Sequence, residues 1–130
     1  MTLVFDLETN GLLHDLTRIH CLAIYDSTTD EIETYNDEKN NNKYSISEGI
    51  NKLLVADTLV GHNIIGFDLP AISKLYNYFT PSSRIVDPLL LSRLYHPNIY
   101  DLDHKHKWRH MPLQLYGRHS LESYGYRLGE

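Results

Sequence analysis

Two acidic side chains stand at the end of the first apolar run of the chain, with one residue between them. Asp6 and Glu8 close a run that begins at Thr2 and predicts a buried strand. Alternate side chains of a strand share a face, so both carboxylates point the same way. Such neighbours repel each other and lose hydration, and a hard cation such as Mg²⁺ or Mn²⁺ relieves both costs. The pattern fits a metal site, and it also fits two solvated acids at a strand end.

A third acid follows a later strand. Thr58 to Val60 is a short β-type run closed by Gly61, and Asp68 stands where the next helical stripe begins. Carboxylates in a first helical turn are stabilised by the helix dipole, and Asn63 suits a turn. Two interpretations of Asp68 therefore remain open, a metal ligand and a helix-terminal acid.

The elements that must position these acids follow an α/β order. Strands are predicted at Thr2–Phe5, Ile19–Tyr25, Glu31–Tyr35, Thr58–Val60 and Ile85–Val86, the first three as an antiparallel meander. Helices are predicted after Ser45, from Leu69, from Leu89 and from Ser120, and loops at Asp37–Lys43 and Asn98–Gly117. The order predicts one domain over residues 1–130, a mixed sheet with helices on its faces.

The charge distribution is uneven. The formal net charge of −5 argues against a broadly basic nucleic-acid binder, although an enzyme that holds metals needs clustered carboxylates. Between His104 and His119 there is no acidic residue, and the cations there are Lys105, Lys107, Arg109 and Arg118. This basic segment either faces a phosphate backbone or is a solvated loop. The histidines His104, His106 and His110 lack the spacing and the partnering cysteines of a structural zinc site.

Composition also bears on the compartment. The sequence shows no signal-peptide pattern and no apolar run long enough to cross a bilayer, which predicts a cytoplasmic protein without a membrane partner. Its single cysteine, Cys21, lies in an apolar run and is predicted to be a buried thiol in a reducing compartment.

Four segments together resemble a known family. Phe5–Leu12 matches the D-x-E-T motif of the DEDD exonuclease superfamily, and Val60–Asp68 matches its N-x-x-x-F-D motif. Asp87–Tyr95 is similar to the D-T-L-x-L-S-R-L segment of phage-type family A DNA polymerases. Ser120–Glu130 is similar to their A-L-E-x-x-G-x-R-L-G-E segment. In this order the segments resemble the 3′→5′ proofreading exonuclease domain of those polymerases, which has a ribonuclease-H-like fold.

The resemblance implies a reaction and its ligands. Asp6, Glu8 and Asp68 would ligate two divalent ions, Mg²⁺ or Mn²⁺, about 3.5–4 Å apart in such sites. The activity implied is removal of nucleotides from the 3′ end of single-stranded DNA. If the chain is encoded by a phage, it would act in the host cytoplasm.

The resemblance also implies residues that hold the substrate. Thr9 and Leu12 match positions that hold the terminal nucleotide, with Leu12 packed against its base whatever the base is. Asn63 matches a position that helps to hold the substrate or to order the site. Asp87 matches a family position that is not a metal ligand, and a structural role such as a helix cap is expected.

One family motif has no match. The family draws a fourth carboxylate from a Y-x-x-x-D or H-x-x-x-D helix, which in the resembled polymerases lies beyond the G-Y-R-L-G-E segment. With this helix missing, we expect the chain alone to be impaired, to bind one metal ion, and to self-associate or require the polymerase domain. A non-catalytic module that binds single strands or a partner, and a related exoribonuclease, are the alternatives.

Overall fold

The structure is a computed structural model that describes residues 1–38 and 43–129. Most of the predicted loop Asp37–Lys43 and the last residue of the fourth motif lie outside these ranges. The chain divides into two compact units, an N-terminal unit (Met1–Asp87) and a C-terminal unit (Pro88–Glu130). The prediction of one domain over the whole chain stays a prediction.

The N-terminal unit is built on a five-stranded mixed sheet. Its strands are β1 (Thr2–Thr9), β2 (Ile19–Asp26), β3 (Glu31–Tyr35), β4 (Thr58–Val60) and β5 (Arg84–Val86). They lie in the order β3-β2-β1-β4-β5. The first three form the predicted antiparallel meander, and β4 and β5 run parallel to β1. The α/β fold class with a mixed sheet is therefore confirmed.

Two helices of this unit contribute to one apolar core. Helix α1 (Ile46–Leu54) begins as predicted, because the hydroxyl of Ser45 accepts the amide of Glu48 at 3.3 Å. Helix α2 (Leu69–Leu75) has Pro70 in its first turn, where the missing N–H costs little. The buried core contains alternate residues of β1 and one face of each helix, including Leu3, Phe5, Leu7, Ile46, Ile50, Leu53, Ala71 and Ile72.

The C-terminal unit is helical over much of its length. Its elements are α3 (Pro88–Tyr95), α4 (Ile99–His106), a 3₁₀ turn (Leu113–Leu115) and α5 (Leu121–Leu128). The long loop predicted for Asn98–Gly117 is wrong over α4 and the 3₁₀ turn. In α4 only Ile99 and Asp103 are buried, one helical turn apart, so the helix carries a weak apolar period for the sequence to display.

Asp103 organises this unit. Its carboxylate accepts hydrogen bonds from the indole of Trp108 at 2.9 Å, the amide of Gly117 at 2.8 Å and the guanidinium of Arg127 at 2.6 and 2.9 Å. Burial alone raises the pKa of Asp103, but these hydrogen bonds outweigh it and lower the pKa to about 2. One acid thus joins α4 to α5 and to the turn between them.

The leucine-rich helix α3, predicted to begin at Leu89, exposes several apolar side chains. Leu89 is buried, and the exposed members are Leu90, Leu91, Leu94 and Tyr95.

Among the described residues, no helix is long and apolar enough to span a bilayer.

Candidate active site at the end of the first strand

Asp6 and Glu8 lie on the face of β1 opposite the core. The burial of β1 alternates strictly, with Leu7 buried between the two exposed acids. Parallel pairing of β1 with β4 ends at Val4 and Val60, so both acids lie on the part of β1 that extends beyond β4. The strand therefore places Asp6 and Glu8 on one face, as the sequence predicts.

The chain beyond β4 brings the third acid to this place. A π-helical turn covers Ile64–Asp68 and leads directly into α2. The carboxylate of Asp68 accepts a 3.1 Å hydrogen bond from the backbone amide of Leu7, between Asp6 and Glu8 in sequence. Helical structure starts before Asp68, and its side chain makes no capping hydrogen bond. Asp68 does occupy the N-cap position of α2, so its interpretations as a metal ligand and as a helix-terminal acid both stay predictions.

The environment of Asp68 disfavours its charged form. The residue is only 4% exposed, and burial is the largest cause that raises its pKa to about 7. The negative charge of Asp6 raises this pKa further, and Asp87 adds to it, while the amide of Leu7 acts in the opposite direction. Burial and the nearby charge of Asp6 thus both favour the protonated form of this carboxyl group.

A close backbone approach packs the π-helical turn against β1. A Cβ atom on Gly61 would lie 2.2 Å from the side chain of Ile64 and 2.7 Å from the carbonyl oxygen of Phe5. Real Cβ atoms do not approach backbone oxygens this closely, so the position requires glycine. The chain can therefore leave β4 and turn immediately beside the strand that carries Asp6.

The donor set suits a hard divalent cation, although it is not arranged around one. Asp6, Glu8 and Asp68 offer only carboxylate oxygens, which Mg²⁺ and Mn²⁺ prefer. The charge of Asp6 raises the pKa of Asp68, and a cation would neutralise that repulsion. Within residues 1–38 and 43–129, however, no three His, Cys, Asp or Glu side chains form a group that could hold a metal ion. The predicted ligand set stays a prediction.

The three predicted substrate residues differ in their surroundings. The hydroxyl of Thr9 donates to the carbonyl oxygen of Gly11 at 2.8 Å, which orders the turn after β1. Leu12 follows this turn with its side chain 66% exposed. Asn63 has a left-handed backbone, with φ of 61°, and precedes the π-helical turn. Its carboxamide oxygen lies against Gly66, where an added Cβ would come within 2.5 Å.

Cys21 lies opposite Glu8 in the register of β1 and β2. The residue is half-buried, so the prediction of a buried thiol is wrong. The reason is that Cys21 belongs to the sheet face that carries the acids. Burial raises the pKa of the thiol, and the charges of Glu8 and Asp6 raise it further.

Asp87 has a role at this site that the sequence did not specify. One carboxylate oxygen accepts the amide of Asn63 at 2.8 Å, and the other accepts the amide of Ile65 at 3.0 Å. Asp87 therefore caps the π-helical turn, which lies more than twenty residues earlier in the chain. No local pattern reveals such a pairing, and the strand-end position of an acid was the single available signal.

The fold agrees with the comparisons with known proteins. A sequence profile of the RNase H superfamily matches residues 3–124, and the chain belongs to that superfamily. Over 98% of its length it is 34% identical to the DNA-directed DNA polymerase of Escherichia phage T7. Over the same share it is 35% identical to the DNA-directed DNA polymerase of Enterobacteria phage T3. The match fits the exonuclease domain of a phage DNA polymerase, which confirms the resemblance.

The chain spans 19% of the length of each of these polymerases. It is also similar to the structure of the family B DNA polymerase from the hyperthermophilic archaeon Pyrobaculum calidifontis, with a TM-score of 0.52 and 14% identity. That likeness covers 98% of this chain and 22% of the archaeal one, and it concerns the fold alone.

Proposed function

We propose that this chain is a metal-dependent 3′→5′ exonuclease domain that acts on single-stranded DNA ends. It would proofread as part of a phage DNA polymerase, in the cytoplasm of the host. The observation that carries the proposal is the hydrogen bond from Leu7 to Asp68, because it brings a buried carboxylate to the strand of Asp6 and Glu8. Membership of the RNase H superfamily and the identity to phage polymerases support it.

Asp6, Glu8 and Asp68 would hold the divalent ions. Two such ions, when bound, supply a nucleophilic water at neutral pH and stabilise charge on the leaving oxygen. The amide of Leu7 fixes the orientation of Asp68. Asp6 and Glu8 are exposed, so their side chains can turn toward Asp68 without displacing a packed neighbour. Both acids lie on the middle strand of the sheet, where the backbone of β1 is paired with β2.

Thr9, Leu12 and Asn63 would hold the terminal nucleotide. The bond from Thr9 to Gly11 orders the turn that presents Leu12. The Leu12 side chain has no hydrogen-bonding group, so its contact with a base would be nearly equal for all four bases. This tolerance is what a proofreading enzyme needs, since any nucleotide can be misincorporated.

A second function is favoured by one observation. The described side chains include no ready group of three metal ligands, which suits a non-catalytic module that binds single strands. In that case the exposed Leu12 and the basic segment would bind DNA, and the acids would play no part in hydrolysis.

A polarity assay separates these functions. A 5′-labelled single-stranded oligonucleotide, as DNA and as RNA, is incubated with Mn²⁺ and either the wild-type chain or Asp6→Asn. Asp101→Asn serves as a matched control, since Asp101 is exposed on α4. We expect a ladder that shortens from the 3′ end of DNA and a loss of about 100-fold or more in Asp6→Asn.

A parallel arm adds a peptide with the family's Y-x-x-x-D pattern, which should raise the rate. Binding without cleavage in both arms would favour the non-catalytic module. Faster cleavage of RNA than of DNA would favour an exoribonuclease.

A further inference from the structure

The buried carboxylate of Asp87 accepts hydrogen bonds from the start of the π-helical turn that carries Asp68. Asp87 follows β5 and is 4% exposed. Its two oxygens accept the amides of Asn63 and Ile65 at 2.8 and 3.0 Å. The first amides of any helix lack partners within the helix, and here a single distant acid satisfies two of them.

These two bonds fix the entry into the turn. Asn63 adopts a left-handed backbone immediately before the helical residues, a conformation that few residue types adopt without cost. The turn itself has π-helical hydrogen bonding, since the amide of Leu69 reaches the carbonyl oxygen of Ile64. Such turns are rare and need support from their surroundings.

The far end of the same turn carries Asp68. Whether its carboxylate reaches the amide of Leu7 depends on how the turn is oriented, because Asp68 is the last residue of a turn only five residues long. A continuous path of contacts therefore runs from Asp87 through the amides of Asn63 and Ile65 to Asp68 and then to Leu7.

We propose that Asp87 is a positioning residue, which holds the π-helical turn so that Asp68 meets β1 between Asp6 and Glu8. Its oxygens accept backbone amides of the turn, which distinguishes it from the three proposed ligands. The structural part of this inference is independent of the reaction. Its consequence for hydrolysis rests on the proposed function.

Amide hydrogen exchange tests the structural part. In Asp87→Asn one acceptor oxygen is replaced by a donor, so protection at Asn63 and Ile65 should fall by about tenfold or more. Protection at the Leu7 amide should fall with it, while Leu22 of β2 keeps its protection. Asp101→Asn is the matched control and should change none of them. The inference would be overturned if protection fell at Asn63 and Ile65 while the Leu7 amide stayed protected. It would also be overturned if the exchange of all three amides were unchanged.

A backbone change covers the case in which Asp87→Asn does not fold. Replacement of Ile65 by its α-hydroxy acid removes one N–H and retains both carboxylates and the side chain, which is exposed. The Leu7 amide should again lose protection. An unchanged Leu7 amide in this variant would contradict the inference.

Kinetics on the oligonucleotide tests the consequence for hydrolysis. In Asp87→Asn the value of kcat should fall about tenfold or more, and KM for DNA should change much less, because Asp87 binds neither Thr9 nor Leu12 and only Asn63 among the substrate residues is loosened. A rate equal to that of the wild-type chain would overturn this consequence. A different outcome is also informative: Asp87→Asn lowers protection at the Leu7 amide, but neither the wild-type chain nor any variant cleaves DNA. That outcome would support the positioning role of Asp87 and contradict the proposed function.

Discussion

The amide of Leu7 donates a hydrogen bond to the carboxylate of Asp68, a residue 61 positions further along the chain. Leu7 contributes its side chain to the core and its amide to the site, while its neighbours Asp6 and Glu8 point to the other face. The same short segment thus anchors the sheet and binds the carboxylate of Asp68.

The charge of Asp68 should make the metal-free chain less stable as pH rises. Its pKa is raised from 3.8 to about 7, so the folded state binds more protons than the unfolded state between these values. The free energy of unfolding should therefore fall as pH rises through this window. With EDTA present, Asp68→Asn should melt roughly 5 °C higher than the wild-type chain near pH 8 and lose the pH dependence. Equal melting temperatures at both ends of the window would contradict the prediction.

Leu12 should contribute apolar contact to single-stranded DNA without base preference. Leu12→Ala should weaken binding by roughly fivefold, because part of one leucine side chain loses its burial. Leu128→Ala is a matched control, since Leu128 is 75% exposed and lies at the end of α5, outside the basic segment. Fluorescence anisotropy with oligo-dT and oligo-dA measures the effect. A loss confined to one base, or no larger than in the control, would count against the contact.

The basic segment should bind phosphates, and its contribution should depend on salt. Lys105 and Arg109 are exposed at and after the end of α4. Replacing both by Gln should weaken DNA binding at low salt and reduce the slope of log K against log salt by about 1–2. Arg84→Gln, on β5, is the control for loss of a cation. Binding by the double variant with an unchanged salt slope would show that the segment is a solvated surface.

Asp103 should be the most sensitive position of the C-terminal unit. Asp103→Ala leaves the guanidinium of Arg127, only 8% exposed, without its partner, and should cost about 3–5 kcal/mol. Urea unfolding followed by the fluorescence of Trp108, the single tryptophan, reports this directly. The pKa of Asp103 is lowered to about 2, so its stabilisation should be lost as pH falls below about 4 toward that value. An unchanged urea midpoint would contradict its central role.

The sequence predicted those features that depend on neighbouring residues. Alternation along β1 placed Asp6 and Glu8 on one face, and the spacing of Ser45 and Glu48 marked the start of α1. It did not reveal contacts between distant residues. Asp87 caps a turn whose residues Asn63 and Ile65 precede it by 24 and 22 positions.

The same limit explains the helix that the sequence missed. Asp103 is held by Arg127, 24 positions later, and this pairing buries a polar residue within α4. A helix stabilised by a buried acid has little apolar periodicity, so a polar loop was the natural interpretation of residues 98–117.

Divalent metal binding by Asp6, Glu8 and Asp68 is the property on which the proposed function depends, and calorimetric titration with Mn²⁺ near pH 7 tests it most directly. The wild-type chain should bind Mn²⁺ and release part of a proton, because the pKa of Asp68 is about 7 and the metal favours its charged form. The release appears as a heat that varies with the ionisation enthalpy of the buffer. Asp6→Asn should abolish binding, and Asp101→Asn should not. Binding of Mn²⁺ that is identical in Asp6→Asn, or absent from the wild-type chain at millimolar concentration, would contradict the proposed site.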